Sequence, residues 1–329
     1  MKKVVTIGSA VADIIVRSKD FRVLKSHQVS GGLALCEVYG GKLGAEEIKI
    51  LTGGGGTNVG VGLKKLGHSV RVMSVVGGDD WGKLVLRKLE EEALDVSYIK
   101  EIKGGTAVSV ILVAKSGGRS IITHRGVGQK FGSREIDWRV VEKADWIQIS
   151  SLGGNLALLE DSVMFAKKKG VKVGMNPGKR ELENSERLKK ILKGVDFLSL
   201  NHMEAVKFFK GKWGEDKAMA IKFLGLGVGM VAITDGIRGA GIAKGNTWFR
   251  AKAFKMKSVD DTGAGDGFVS GVVAGILAEE TQERILLMGV ANGASAVMGL
   301  GAKLGLLDEK EMKKWLKKKT SLVEEKLTD

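Results

Sequence analysis

Proline and cysteine are almost missing from this chain: Pro177 and Cys36 stand alone among 329 residues. A single cysteine excludes an internal disulfide and fits a reducing cytoplasmic compartment. Cys36 ends the apolar run Leu33-Ala34-Leu35-Cys36, where a lone cysteine packs as a small hydrophobe more readily than it acts as a nucleophile. Histidines number four, and none is spaced with Cys36 or another histidine as a metal site requires. Aromatic residues make up only 5% and do not interleave with the basic clusters, so a base-stacking platform for nucleic acid is not expected. No stretch approaches the ~20 uninterrupted apolar residues of a membrane helix. The apolar part of residues 1–8 is too short for a secretory signal and reads as a first buried strand.

Glycine, by contrast, occurs 48 times, so turns here are made by glycine rather than proline. Apolar residues reach 43%, enough for a large core around one sheet. The formal charge of +15 raises the question of a nucleic-acid partner. The lysines are scattered over helix faces, as in Lys167-Lys168-Lys169, Lys189-Lys190, Lys313-Lys314 and Lys317-Lys318-Lys319, with glutamates close to several. That distribution describes a solvated surface, with a field that helps attract anionic nucleotides, and no dedicated nucleic-acid face.

Apolar runs and helical periodicity alternate along the chain. Strands are expected at residues 4–7, 70–76, 146–150, 171–175, 197–200 and 230–234. Helices are expected at 57–66, 81–92, 156–169, 185–193, 203–209 and 217–224, and helix dominates after Gly267. This rhythm predicts a single α/β domain of βαβ units on a mainly parallel sheet buried on both faces. Two segments break it. Residues 14–52 are glycine-punctuated and alternating, and residues 104–124 read as two strands around Lys115-Ser116-Gly117-Gly118. Their strands are expected to form a small β-sheet lid over a ligand edge.

The chemistry concentrates in Asp260-Asp261-Thr262-Gly263-Ala264-Gly265-Asp266-Gly267, directly before an apolar helix. Alternating glycines there make a turn whose unpaired amides, with the helix dipole, favour an anion, and Asp266 places a carboxylate beside it. A phosphate cradle next to a base is the minimum equipment for phosphoryl transfer to a hydroxyl, although such a turn is also an ordinary tight connection. A second cluster, Gly53-Gly54-Gly55-Gly56-Thr57-Asn58, leaves bare backbone at a helix start, and the Asn58 amide suits polyol hydroxyls. No Gly-Lys-Ser/Thr follows, which excludes a Walker A loop, and no dinucleotide fingerprint is completed. Asp13 follows the first strand, where ligands gather in a parallel sheet; there it binds sugar hydroxyls or caps a turn. Asn201 and Glu204, three apart after another strand, suit a hydrated magnesium ion and equally form a capping box. Thr234-Asp235-Gly236 follows a further strand.

Taken in order, these motifs resemble the ribokinase-like (pfkB) family of carbohydrate kinases. Asp13, Gly53–Asn58 and Val76-Gly77-Gly78-Asp79-Asp80-Trp81-Gly82 correspond to the N-terminal part. Asn176-Pro177-Gly178, Asn201-x-x-Glu204, Thr234-Asp235-Gly236 and Asp261-Thr262-Gly263-Ala264-Gly265-Asp266 correspond to the rest. The resemblance implies a three-layer α/β/α sandwich with a small β-sheet lid, and transfer of the γ-phosphoryl of ATP to a hydroxymethyl group. It makes Asp266 the base and the amides of Gly263, Ala264 and Gly265 the anion hole. Asp13, Gly54, Gly55 and Asn58 would hold the sugar. Asn201, Thr234, Gly236 and Asn292 would serve the nucleotide. Glu204 would hold Mg2+ through water, and Asp260 a monovalent cation such as K+. It also implies a homodimer formed through the lid.

Two departures bear on the substrate. Ribokinases proper carry a lysine inside the glycine cluster, where this chain has Gly55, and a glutamate after the strand that here ends in Gln148-Ile149-Ser150-Ser151. Ribose is therefore not the expected acceptor, and Arg125, after the second lid hairpin, either meets an anionic group of the substrate or lies on the rim. A nucleoside kinase of the same fold and a catalytically silent binding protein are the competing readings.

Overall fold

The computed structural model describes residues 1–26, 33–115, 118–210, 215–318 and 320–327. The first strands are β1 (Lys3–Ile7), β2 (Val11–Ser18), β3 (Arg22–Lys25), β4 (Leu33–Cys36), β5 (Glu47–Gly53), β6 (Ser69–Gly77), β7 (Ile99–Ile102), β8 (Val108–Ala114) and β9 (Arg119–His124). Then follow β10 (Trp146–Ile149), β11 (Lys172–Met175), β12 (Phe197–Asn201), β13 (Met230–Thr234), β14 (Ala240–Lys244), β15 (Thr247–Ala251) and β16 (Leu322–Lys326).

Ten of these strands form one sheet in the order β16-β15-β14-β13-β12-β11-β10-β1-β6-β7. Neighbours from β7 to β13 run parallel. Strands buried on both faces read as nearly continuous apolar runs, and all four residues of β10 are buried, the one polar member, Gln148, accepting from Trp146 Nε1 at 3.2 Å. Alternation along a strand sends successive residues to opposite layers. Val4 joins an apolar cluster with Val59, Val269 and Leu286, whereas Val5 and Ile7 join another with Leu158, Leu188 and Phe223. The first layer is built on the helices Gly55–Lys65, Ala264–Leu277 and Gln282–Ala296, the second on Leu156–Lys169, Ser185–Leu192 and Asp216–Gly225. The expected three-layer α/β/α sandwich is therefore present.

One edge differs from expectation. β14, β15 and β16 continue the sheet as an antiparallel meander, so the region after Gly267 is not wholly helical. The turn between β14 and β15 is Gly245-Asn246, with Gly245 at φ 58°, a two-residue hairpin connection that glycine favours.

A second sheet, in the order β5-β2-β8-β9, stands apart from the first. It is built from the two segments expected to form a lid, with β2 starting earlier, at Val11, and β5 running on to Gly53. The centre of the expected β8–β9 turn, residues 116 and 117, lies outside the described residues. β3 and β4 form a separate ribbon that holds Cys36, half-buried. The small sheet's inner face packs Ile15 and Ile111 against Leu300. Among the described residues no helix is long and apolar enough to cross a membrane.

Candidate active site

The turn at 260–267 becomes the start of the helix Ala264–Leu277. Gly263 sits at φ 81°, a conformation that glycine adopts without strain, and a Cβ there would stand 2.5 Å from the Cα of Ala302. The first bond of the helix runs from the Gly267 amide to the Gly263 carbonyl at 2.8 Å. The amides of Ala264, Gly265 and Asp266 have no acceptor among the described residues, as expected of a first turn. The space around Gly265 is open: an added Cβ would meet nothing within 4 Å. Free amides facing open space beside a positive dipole end fit the phosphate groups of a nucleotide.

The glycine cluster meets this turn from the other side. Gly54, at φ 98°, precedes the helix Gly55–Lys65, and a Cβ on Gly8 would lie 2.7 Å from the Gly56 nitrogen. Bare backbone thus lets the helix dock on the end of β1. Across the gap the Asn58 side-chain amide donates to Asp266 Oδ2 at 2.8 Å. A Cβ on Gly55 would stand 2.7 Å from the Ser150 side chain and 3.6 Å from Asp266 Oδ1, so no side chain fits at that position.

The missing lysine of the cluster has a counterpart that arrives from elsewhere in the chain. Lys303 is 5% exposed. Its ammonium donates to Asn58 Oδ1 at 2.7 Å, the Thr52 carbonyl at 2.7 Å and Thr57 Oγ1 at 3.1 Å. Burial brings its pKa down to about 8, against the pull of Asp13 and Asp266, which favour the charged form. Asp13 is pushed up to about 6 by burial, partly offset by Lys303 and a hydrogen bond from Ser109. Part of the Asp266 residue still meets solvent, but its carboxyl lies deep, and burial raises its pKa against the Asn58 hydrogen bond and Lys303. The structure therefore joins Asp13, Gly55, Asn58 and Asp266, all singled out by the sequence, around a cation that was not. The available signal was composition: Lys303 is the lone charged residue between Arg284 and Asp308.

Asp260 accepts from the Thr262 amide and hydroxyl at 2.9 and 2.6 Å and from the Gly301 amide at 2.9 Å. Arg119, on β9, reaches it at 3.0 Å and so ties the small sheet to the catalytic turn. Burial alone would raise this carboxyl, but the Thr262, Gly301 and Arg119 contacts hold it below its ordinary value.

Asn201 and Thr234 pair at the ends of β12 and β13, and Gly236 lies in the turn that follows. Asn201 and Glu204 form the capping box: the Glu204 amide donates to Asn201 Oδ1 and the Asn201 amide to Glu204 Oε2, both at 2.9 Å. Burial raises the Glu204 pKa despite these contacts. Asn292 is placed differently from the expectation. It is wholly buried, donates to the Gly267 carbonyl and Ser270 Oγ, and accepts from the Leu307 amide, so its side chain joins two helices and a loop instead of lining a nucleotide surface. Behind this edge His202, Asp216 and Asp235 gather within 4.8 Å, a group that sequence spacing concealed. Arg238 and Arg250 already supply cations to its two carboxylates.

On the other side of Gly55 and Ser150 a cavity of about 450 Å³ opens between the small sheet and the main sheet. Arg125 lines it from the end of β9, as does Arg180 from the short helix Lys179–Glu183. Its floor is the loop 151–154, held by the buried carboxylate of Glu181. That group accepts from the Leu152, Gly154 and Gly178 amides at 2.7, 2.9 and 3.0 Å and from Ser151 Oγ at 3.2 Å.

A carboxylate beside free helix amides, faced by a pocket under a β-sheet cover, is the arrangement of a phosphotransferase that acts on a hydroxyl acceptor. Residues 1–309 match the model of the pfkB family carbohydrate kinases, and the chain belongs to that family. It is 28% identical over 285 residues to a ribokinase from Haemophilus influenzae, covering 84% of this chain and 91% of the relative. It is 27% identical over 280 residues to an ATP-dependent 6-phosphofructokinase from Thermoanaerobacterium thermosaccharolyticum, covering 82% and 86%. The structure of Arabidopsis thaliana ribokinase complexed with ribose and ATP shares the fold, with a TM-score of 0.79 at 23% identity over 97% of this chain and 99% of that one.

Proposed function

We propose that this protein transfers the γ-phosphoryl of ATP to a hydroxymethyl group of a sugar or sugar-like acceptor. The observation that carries the reading is the Asp266 carboxyl at a helix start with free amides, 2.8 Å from the Asn58 amide that faces it. ATP would supply the phosphoryl group, and Glu204 would hold Mg2+ through water, an ion that would neutralise the phosphate oxygens. The remaining work falls to the chain. Asp13 and the Gly54–Gly55 backbone fix the acceptor's hydroxyls, and Asn58 orients it. Asp266 takes the hydroxyl proton as the oxygen–phosphorus bond forms and the bond to ADP breaks. The amides of Gly263, Ala264 and Gly265 stabilise charge on the migrating group. A raised carboxyl pKa makes Asp266 a better proton acceptor once ionised. Asn201, Thr234 and Gly236 border the nucleotide, and Asp260 helps hold a monovalent cation.

The test is ADP release with Mg2+ over sugars, sugar phosphates, sugar acids and nucleosides, with K+ present or replaced by tetramethylammonium. Asp266→Asn is expected to lower kcat by about 10²–10⁴-fold, the span of a general base. Full activity in that variant, or no turnover of any acceptor by the wild type, refutes the reading.

We further infer a homodimer through the small sheet. Ile48, Ile50 and Ile122 lie exposed on its outer face, where the pairing register puts Ile14, Val16, Val110 and Leu112 beside them. Covering each such side chain is worth about 1.5–3 kcal/mol. Sedimentation should show a dimer that Ile50→Lys dissociates; a monomeric wild type at micromolar concentration refutes it.

A further inference from the structure

The cavity beneath the small sheet carries an unbalanced charge. Arg125 and Arg180 line it, and no aspartate or glutamate does. Neither arginine has an ion-pair partner within 4.0 Å among the described residues, although this chain pairs many of its other surface cations. The nearby Glu181 does not neutralise them, because its two oxygens are committed to four donors of the loops around it.

Both guanidinium groups, on exposed side chains, approach Gly153. Arg180 Nη1 lies 3.4 Å from the Gly153 carbonyl, and Arg125 Nη1 lies 3.4 Å from where a Cβ on the same glycine would stand. Gly153, at φ 68°, carries no side chain to fill the space between them. Other polar groups of the floor are already engaged: Asn155 donates to the Phe131 carbonyl at 2.8 Å and accepts from the Leu158 amide at 3.1 Å. The charged recognition chemistry at Gly153 is thus cationic, planar and forked, which matches an oxyanion, while Ser74, Thr123 and Gln129, which also line the cavity, suit hydroxyls.

Position relates this end of the cavity to the chemistry. Gly55 stands between Asp266 and the Ser150 side chain, and the next residue, Ser151, belongs to the cavity floor. An acceptor with its hydroxymethyl group at Asp266 therefore extends its far end toward the two arginines. Arg125 belongs to the small sheet's exit and Arg180 to the main body, so an anion held by both bridges the cover to the core.

We propose that the acceptor is an anionic sugar, one that already carries a phosphate or carboxylate at the end remote from the hydroxyl to be phosphorylated. The oxyanion seats between Arg125 and Arg180. This inference rests on the kinase reading for turnover, but not for binding.

The experiment compares matched pairs on the full chain: fructose against fructose 6-phosphate, and glucose against gluconate, with inosine as a neutral nucleoside. ADP release and ligand-induced thermal shift without ATP are both read. Preference for a phosphorylated or a carboxylated member supports the proposal and tells the two sources apart. Arg125→Ala and Arg180→Ala are each expected to reduce the charged-to-neutral ratio of kcat/KM by about 10–100-fold, mostly through KM, with lysine at either site restoring part of it. Unchanged melting temperatures show that the variants fold. A thermal shift by the charged sugars that is lost in the arginine variants, with no ADP released, sustains the anion site and sinks the kinase reading. Equal use of neutral and charged members, inosine as the best acceptor, or arginine variants that leave the ratio unmoved overturn the proposal while leaving the kinase intact.

Discussion

Replacing Lys303 by methionine removes one charge from the centre of the site while nearly preserving its volume. Its effect on stability should be small, because two terms oppose each other. The drop of the lysine pKa from 10.5 to about 8 corresponds to about 3 kcal/mol of unfavourable burial at neutral pH, which methionine relieves. Methionine also leaves the Thr52 carbonyl, Thr57 Oγ1 and Asn58 Oδ1 without this donor, at about 1–3 kcal/mol for a fully orphaned group. Thr57 keeps its own bond to the Gly53 carbonyl at 2.8 Å, which softens that loss. The net change is expected within about 2 kcal/mol of zero, so the variant folds. Catalysis should suffer far more. Without its anchor the Asn58 amide no longer has a fixed face toward Asp266, and both carboxyls lose the nearby cation that favours their ionised forms. We expect kcat/KM at pH 7 to fall about 10–100-fold, or about 1.4–2.7 kcal/mol of transition-state stabilisation, with the acid limb of the pH profile displaced upward. Above about pH 8 the wild-type lysine is itself losing its charge, so the gap between the two enzymes should narrow there. A Lys303→Met enzyme with wild-type kcat/KM and an unmoved acid limb would refute the electrostatic role.

The wild-type pH profile should rise with an apparent pKa near 6 from Asp13, coupled to the Asp266 carboxyl that burial also raises, and decline as Lys303 deprotonates near 8; a rate flat from pH 5 to 9 contradicts this. Asp13 also predicts a stability effect. Its folded pKa of about 6 exceeds the ordinary 3.8, so the folded state holds the extra proton between these values, and the contribution present below pH 3.8 is lost as pH rises through 6. Asp13→Asn should accordingly raise the melting temperature at pH 7 and leave it nearly unchanged at pH 3.5, as calorimetry can check. Glu181→Ala leaves three loop amides without an acceptor and should destabilise the fold by about 3–5 kcal/mol in denaturant titration; Glu181→Gln, which keeps one acceptor oxygen, should cost less.

The central fold was legible in the sequence because it rests on local periodicity. The helix Leu156–Lys169 and the strand β13 occur at the boundaries that alternation and capping residues indicate. The antiparallel edge was not, although β14 and β15 are as long as β13, because they turn on a glycine–asparagine pair that composition alone hides among 48 glycines. The site divides along the same line. Asp266, Asn58 and the glycine turns are visible because unusual backbone needs unusual residues, and glycine records that need locally. Asn292 misled for the converse reason: a polar residue in a helix reads as a ligand contact until its three partners, far apart in the chain, are seen to enclose it.

Lys303 and Arg180 escaped notice because a cation's role depends on what surrounds it, and 53 lysines and arginines look alike in a list of letters. What separates these two is the absence of the usual compensation. Most surface cations of the chain lie in water or beside carboxylates, whereas Lys303 is buried against neutral acceptors and Arg180 faces a cavity without acids. The burial of Lys303 carries an electrostatic cost that the free protein does not recover, whereas Arg180 is exposed and keeps its hydration. On the proposed reading that cost is relieved by negative charge on the migrating phosphoryl, because Asp266 gives up its own charge on taking the hydroxyl proton; the far end of the acceptor meets Arg180. An acceptor that spans these two cations, as proposed, has its length set by the distance between them.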